Sequence, residues 1–558
     1  MKITIMKKSL IFVLTAVVLM TTGCHMLDEE AYGQPTAEEL LANEENVAKV
    51  VGQAYSEVKW LHDHWGYWGI NTISSDECVN PVRVPGNDWN DDGYWKGFND
   101  HSWTPNDASF EFVWQYSNAG AVLCNKILNQ LAGIESSMDP EVYKRFTAEL
   151  KVLRCYYYYT LFDAFGRIPY QEDYSADRVA QSETWEVWNK LVTTLEAEAP
   201  NLPVIDDDNR AVNYGRCSQG MAYTLLARLY LNALSFGVTP ANCGIEAITS
   251  DNDFYQKALD ACKKVIDSKS YIIEDDFFAN FKIYNENSKE NIFVIVEDGN
   301  ASFDYRDVAG KLSNKLRITM LTLNYMHQQC WGLKEKPWNG FCCPPDFLAK
   351  YQEGVDHRGP SPEDLGTHGC DGWGWFLGPV YKADDSMDTL VMTDKGNLKA
   401  VMRKEVVSLD AATHNDGARL LKYEVAKNGV NKYCDNDFVL FRYADVLYMA
   451  YEAAYRLGDG YAATLLADAD FQKIRTRVGC VAYSSLDLDE LLDERGREFA
   501  WEMVRRRDLI RFDKYSKGSW LFKEAAADNH RDWFPIPRKM IETSGGLWTQ
   551  NPGYETDM

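Results

Sequence analysis

Tryptophan is the residue whose placement points to chemistry in this chain. Seven of its 17 Trp lie between residues 60 and 114, and Trp331, Trp338, Trp373 and Trp375 fall in two further groups within loop-rich sequence. In such stretches a large ring has no helical core to enter. A flat apolar ring offers a face to the C–H faces of a sugar, while neighbouring Asp, Asn and Arg hydrogen-bond its hydroxyls. Gly372-Trp373-Gly374-Trp375 is the sharpest segment, because flanking glycines free the backbone and leave the rings prominent. Arg83 with Asn87, Asp88 and Trp89 is the second. The candidate ligand contacts are therefore Trp65, Trp68, Arg83, Asp88, Trp89, Trp331, Trp338, Trp373 and Trp375, with packing of the loops onto the scaffold as the alternative for each. Trp95, Trp103 and Trp114 lead into a helix and are expected to pack.

Other chemistries find less support. The run Glu494, Arg497, Glu498, Glu502, Arg505, Arg506, Asp508 invites a glycosidase reading, which needs two carboxyl groups roughly 5 to 9.5 Å apart across a sugar. Yet Arg three and four residues beyond a Glu makes ion pairs, and Leu491, Leu492, Phe499 and Met503 read as the buried stripe of a packing helix. Arg442 and Asp445 likewise read as packing residues. No H-E-x-x-H, G-x-S-x-G, phosphate loop or dinucleotide fingerprint occurs. His62 and His64 are two apart, the wrong spacing for adjacent helical ligands. Asp88 to Gly93 lacks the distant Glu of a calcium-binding EF-hand and reads as a solvated acidic turn. Cys155, Cys217, Cys262 and Cys480 read as small hydrophobes; Cys330, Cys342, Cys343 and Cys370 cluster without zinc-ligand spacing. No catalytic residue, metal or cofactor is expected.

Helical periodicity supplies the framework that must position these loops. It predicts helices over 36–60, with Thr36 as N-cap, 110–131, 141–165, 184–198, 217–235 and 253–268, then 438–457, 462–478 and 487–513. Tyr156 to Tyr159 favours a strand by propensity, but the 3.6 period and the stop at Gly166 favour helix. Between about 270 and 435 the pattern changes to short β-like runs such as Ile292 to Val296, broken by Gly, Pro, Asn and Asp. The fold class is mainly α, with a scaffold at about 36–268 and 438–513 and a loop-rich, partly β elaboration forming the ligand face. No Pro- or Ser-rich linker separates independent domains.

Composition restricts partners and compartment. There are 83 Asp and Glu against 58 Lys and Arg, a net charge of −25, which opposes nucleic-acid binding. Lys2, Lys7 and Lys8 precede the apolar run Ser9 to Met20, which is too short to span a bilayer and suits a signal peptide at 1–23. Thr21-Thr22-Gly23-Cys24 resembles a lipoprotein lipobox, with Thr21 where Leu is usual, and implies lipidation of Cys24. Acidic Asp28-Glu29-Glu30 resembles a surface-export signal of Bacteroidetes lipoproteins. Loss of three lysines with the leader takes the charge to −28 (55 minus 83).

Leu457-Gly458-Asp459-Gly460-Tyr461 matches the L-G-x-x-Y turn of a tetratricopeptide repeat. Leu150 to Tyr157 continuing through Leu161-Phe162-Asp163-Ala164-Phe165-Gly166-Arg167-Ile168-Pro169 resembles a signature helix of the SusD/RagB family. So do Phe441 to Ala453 with Ile474 to Gly479, Leu492 to Phe499 with Arg507 to Arg511, and Phe534-Pro535-Ile536-Pro537 with Thr549 to Tyr554. The resemblance implies a lipid-anchored protein of the cell outer membrane built on four tetratricopeptide-like helix pairs. It implies a non-enzymatic oligosaccharide binder that acts as the extracellular lid of a SusC-like TonB-dependent transporter. The RagB branch implies peptides instead, and a surface glycoside hydrolase is the remaining alternative. The binding loops are the family's most variable part, so the Trp positions rest on composition.

Overall fold

Helices that each rest on the next build the scaffold of this computed structural model, which describes residues 43–86, 88–297, 318–369, 373–428 and 435–554. Within them, Val50 onward forms one compact unit and the preceding residues another. The signal peptide expected at 1–23, Cys24, Thr36, Asn87, Cys370 and Gly372 lie outside the described residues.

The run comprises α1 (Ser56–Leu61), α2 (Ala108–Ala132), α3 (Pro140–Phe165), α4 (Thr184–Glu198), α5 (Gln219–Leu231), α6 (Asp251–Ser268), α7 (Tyr443–Leu457) and α8 (Tyr461–Leu466). Taken in order they make four pairs, α1 on α2, α3 on α4, α5 on α6 and α7 on α8, and α6 packs on α7 across the intervening 269–442. Local signals explain the boundaries. Asp139 caps α3 by accepting from Glu141 N and Val142 N at 3.0 and 3.1 Å, with Pro140 at the first helical position. The four tyrosines 156–159 are all buried, as expected of a helix surrounded by neighbours rather than lying at the surface. Tyr157 donates to Ala54 O at 2.6 Å and Tyr158 to Gln171 O at 2.9 Å. His62 is bracketed by Val58 O and the Tyr156 hydroxyl, and burial pushes its pKa down to about 4.

Four expected helices are shorter or broken, and the first, over 36–60, divides into Glu44–Gln53 and α1. The helix expected over 438–457 begins only at Tyr443; Phe438–Arg442 is a strand, β4, antiparallel to β1 (Asn291–Ile295). All ten residues of that pair are buried, so aromatic and branched side chains pack on both faces. The 462–478 stretch divides because Asp468 caps a new helix, Ala469–Thr476. The 487–513 stretch divides into α9 (Leu488–Glu498) and α10 (Arg505–Arg511), where Trp501 and Met503 take positive φ of 61° and 62°. Elsewhere in the elaboration, β2 (Gly374–Phe376) pairs with β3 (Arg419–Leu421), and the described sheets are two-stranded.

The break after α9 changes the ion pairing. Glu494 does pair with Arg497, at 2.6 Å. Glu502 instead meets Arg442 and Lys422, while Arg505 goes to Asp76 and Arg506 to Asp163. Arg442, fully buried, touches Glu290 at 2.7 Å and Glu498 and Glu502 at 2.8 Å. Arg358 joins Glu494 to Glu498 at 2.8 and 2.7 Å. These carboxylates are consumed by guanidinium groups and so are not an acid/base pair. Burial alone would raise the Glu494 pKa, but Arg358 and Arg497 outweigh it and hold it at about 2. Such a group stabilises the fold above its ordinary 4.5 and loses that contribution, on the order of 3 kcal/mol, as pH falls toward 2. The melting temperature is therefore expected to drop steeply between about pH 4.5 and pH 2. A flat profile there, measured by calorimetry, overturns the assignment.

Candidate functional site

Three segments far apart in sequence bring half-buried rings to one place. Trp65 sits in the turn after α1, Trp89 in the irregular stretch before the short turn Asp91–Gly93, and Trp338 after the helix His327–Trp331. Trp89 and Trp338 rings lie 5.3 Å apart at 57°, and Trp65 lies 4.9 Å from Tyr94 and 5.0 Å from Trp95. Trp95, buried, backs Trp65 and Trp89, and Phe341 stands edge-on to Trp89 at 5.0 Å. His64 fills the centre, with ring distances of 5.4, 6.0 and 6.5 Å to Trp89, Trp65 and Trp338. Asp63 fixes this histidine through Nδ1 at 2.8 Å and accepts from Trp65 N at 3.1 Å.

Backbone and polar contacts hold the rings. Trp89 N donates to Trp338 O at 3.2 Å, and Trp338 N to Met320 O at 2.8 Å. Asp91 accepts both indole N–H groups, Trp89 Nε1 and Trp95 Nε1, each at 2.9 Å. The expected solvated acidic turn is thus corrected: Asp91 is an internal acceptor and Asp88 is buried, leaving Asp92 exposed. With its N–H satisfied inside the protein, the Trp89 indole has only apolar ring surface left to offer. A Cβ on residue 340 would meet Trp89 Cε3 at 2.3 Å, so Gly340 makes room for this ring.

The other candidates go elsewhere. Trp68 is fully buried and donates to Trp501 O at 2.9 Å, so it is core and not a ligand contact. Trp375 is also fully buried, against Phe347, Tyr351 and Trp501. Its flanking glycine does not leave the ring prominent. Gly374, at φ 82°, lets the strand approach Gly359 O and His357 O, which a Cβ would meet at 2.8 and 2.9 Å. Trp373, half-buried, stacks on Phe278 at 4.7 Å. Trp331 joins a core with Phe376 and Met392 and carries Lys427 over its ring at 4.8 Å. Arg83 is buried and donates to Asn339 O, Gly340 O and Asp416 O, which makes it an internal tie. Asp88, 8% exposed, accepts from Asn339 and His414. Trp95, Trp103 and Trp114 pack, as expected.

Sequence reasoning missed His64, Tyr94, Asn339 and His414. Their only signal was nearness in sequence to a loop Trp, and His414 lacked even that. Among the described residues no trio of His, Cys, Asp or Glu is placed to hold a metal ion. Cys330, Cys342 and Cys343 are free thiols, and burial pushes Cys343 far up. No described helix is long and apolar enough to cross a membrane.

Paired helices in series, carrying a loop layer with one half-exposed aromatic cluster, define a helical-repeat protein with an aromatic-faced surface. Comparison with known proteins names the family. Residues 298–554 match the SusD family, and residues 27–231 match a family described as starch-binding, associating with the outer membrane. The chain belongs to the SusD/RagB family. It is 24% identical to the starch-binding protein SusD of Bacteroides thetaiotaomicron over 88% of its length and 85% of that protein. Among solved structures it resembles surface glycan-binding protein A of the same organism in complex with laminarihexaose, with TM-score 0.68 and 20% identity, covering 91% of this chain and 99% of the other. A SusD superfamily protein from Parabacteroides distasonis follows with TM-score 0.67 and 18% identity, covering 93% and 100%.

Proposed function

We propose that this chain is a surface glycan-binding lipoprotein that captures oligosaccharides on Trp65, Trp89 and Trp338. It then passes them to a SusC-like TonB-dependent transporter, acting as that transporter's extracellular lid. The observation that carries the reading is the convergence of these three rings, backed by Trp95 and His64, in a loop layer on a helical scaffold. Relatives named for starch and crystallised with laminarihexaose support a neutral glucan as ligand class. A mature charge of −28 (55 minus 83) disfavours polyanionic glycans. Anchoring runs through a lipidated Cys24 at the outer membrane. The mechanism is stacking and delivery, with no bond made or broken and no cofactor.

Affinity electrophoresis of the purified protein in gels containing starch, laminarin or a sulfated polysaccharide tests this. Retardation by a neutral glucan, with no reducing sugar released, is the expected result. Release of reducing sugar, or binding to peptides with no glycan retained, overturns it.

A further inference from the structure

Behind the Trp89 and Trp338 rings lies a buried polar knot that stacking on a sugar does not by itself require. Asp88 immediately precedes Trp89, and Asn339 immediately follows Trp338. Asn339 Nδ2 donates to Asp88 Oδ2 at 2.6 Å and to His414 O at 3.0 Å. His414 Nδ1 meets the same carboxylate oxygen, and its Nε2 meets Pro85 O at 2.6 Å. Asn339 Oδ1 accepts from Arg419 Nη2 at 2.8 Å, and Asn339 O from Arg83 Nη1 at 2.6 Å. Lys395 Nζ lies 3.6 Å from Asp88 Oδ1. His414, Asn339 and Arg419 are fully buried, so none of them meets a ligand.

We propose that His414 and Asn339 are positioning residues, which clamp the Trp89 segment to the Trp338 segment and fix the spacing of the two rings before ligand arrives. This rests on the glycan-binding reading above. Neither ring stands on a long helix or strand, so each loop would otherwise sample many placements, and binding would have to freeze them. The clamp does this in the free protein. Both His414 nitrogens face oxygen atoms, a carboxylate and a carbonyl, so the ring bridges two points of the Trp89 segment. Burial acts to raise the Asp88 pKa, but the His414 hydrogen bond and the charges of His414 and Arg83 hold it below the ordinary value, so the acceptor stays ionised. Asn339, at φ 55°, takes a backbone conformation that Asn tolerates better than most residues. It uses its side chain in both directions, donating to the Trp89 segment and accepting from Arg419.

The test compares His414→Leu, which removes both polar contacts of the ring, with His414→Gln, which restores one. Two quantities are read: the dissociation constant for the glucan the protein retains, and the near-UV circular dichroism couplet of the ligand-free protein. The Trp89–Trp338 part of that couplet is defined by its loss in Trp338→Phe. His414→Leu is expected to lose that couplet and weaken binding about 10- to 100-fold, the range of an unmet buried hydrogen bond. The melting temperature should stay within a few degrees, and His414→Gln should recover most of both signals. Unchanged couplet and affinity in His414→Leu overturns the proposal, as does a loss that His414→Gln does not relieve. Should His414→Leu fail to fold, Asp88→Asn, which keeps the shape and weakens the same bonds, is expected to dim the couplet, and an undimmed couplet there overturns the proposal equally. If the wild type retains no glycan, the functional reading fails, and the ligand-free couplet still decides whether the clamp sets the rings.

Discussion

Replacing Trp89 and Trp338 together with alanine abolishes retention by glucan while leaving a protein that still melts cooperatively. The two rings are half-buried, face each other at 5.3 Å, and sit on segments whose backbone contacts do not depend on the indole groups. Aromatic anchors at the centre of a binding surface commonly cost about 2 kcal/mol or more each when truncated. Two of them amount to about a 1000-fold loss, beyond the reach of gel retardation. Trp375→Ala is the contrasting variant. Its ring is fully buried among Phe347, Tyr351 and Trp501, so truncation leaves a large cavity and costs about 3–5 kcal/mol of stability. Paired measurements of retardation and urea midpoint separate the two cases. Undiminished retention in the double variant removes the aromatic cluster from the binding reaction.

Arg442→Met is expected to cost more stability than any surface substitution in this chain. The arginine is fully buried and bonded to Glu290, Glu498 and Glu502, while Arg477 also meets Glu290 and Glu498. Removing the shared cation leaves three carboxylates in a dry interior with too little positive charge. Breaking one side of a buried ion pair typically costs about 3–5 kcal/mol, a large part of the roughly 5–15 kcal/mol that holds a domain folded. Lys382→Ala breaks the exposed pair with Asp388 and should leave the urea midpoint nearly unchanged. Urea unfolding of both variants reads the difference. A loss below about 1 kcal/mol for Arg442→Met refutes the hub role.

Much of the scaffold was legible because α2 to α6 announce themselves through a 3.6-residue period sustained over three turns or more. The period fails where elements are short. Phe438 to Arg442 is apolar on both faces and merges by pattern into the helix that follows it, so its strand character came from pairing with Asn291–Ile295, a partner far away in the chain. The break at Phe499 to Val504 has no Pro or Gly to mark it; tertiary contacts of Trp501 with Glu77 decide it. The site was half legible for a related reason. A loop Trp signals that a ring needs a place, yet the same signal comes from Trp89, which is half-buried, and from Trp68, which is core. A glycine in sequence signals backbone freedom, whereas Gly374 serves close approach of the strand to Gly359 O and His357 O. His414 meets Asp88 across more than three hundred residues, a distance no spacing rule spans.

The seating of α6 against α7 also has a consequence in time. The chain leaves the ribosome from its N-terminus, and residues 269–442 must all follow α6 before its partner exists. Until then α6 is seated on α5, and the part of its buried surface that meets α7 lacks its final cover. Closing so long a loop comes late and slowly. The loop layer therefore has to organise itself against a scaffold that is still three-quarters built, and the last helices act as the fastening that closes both.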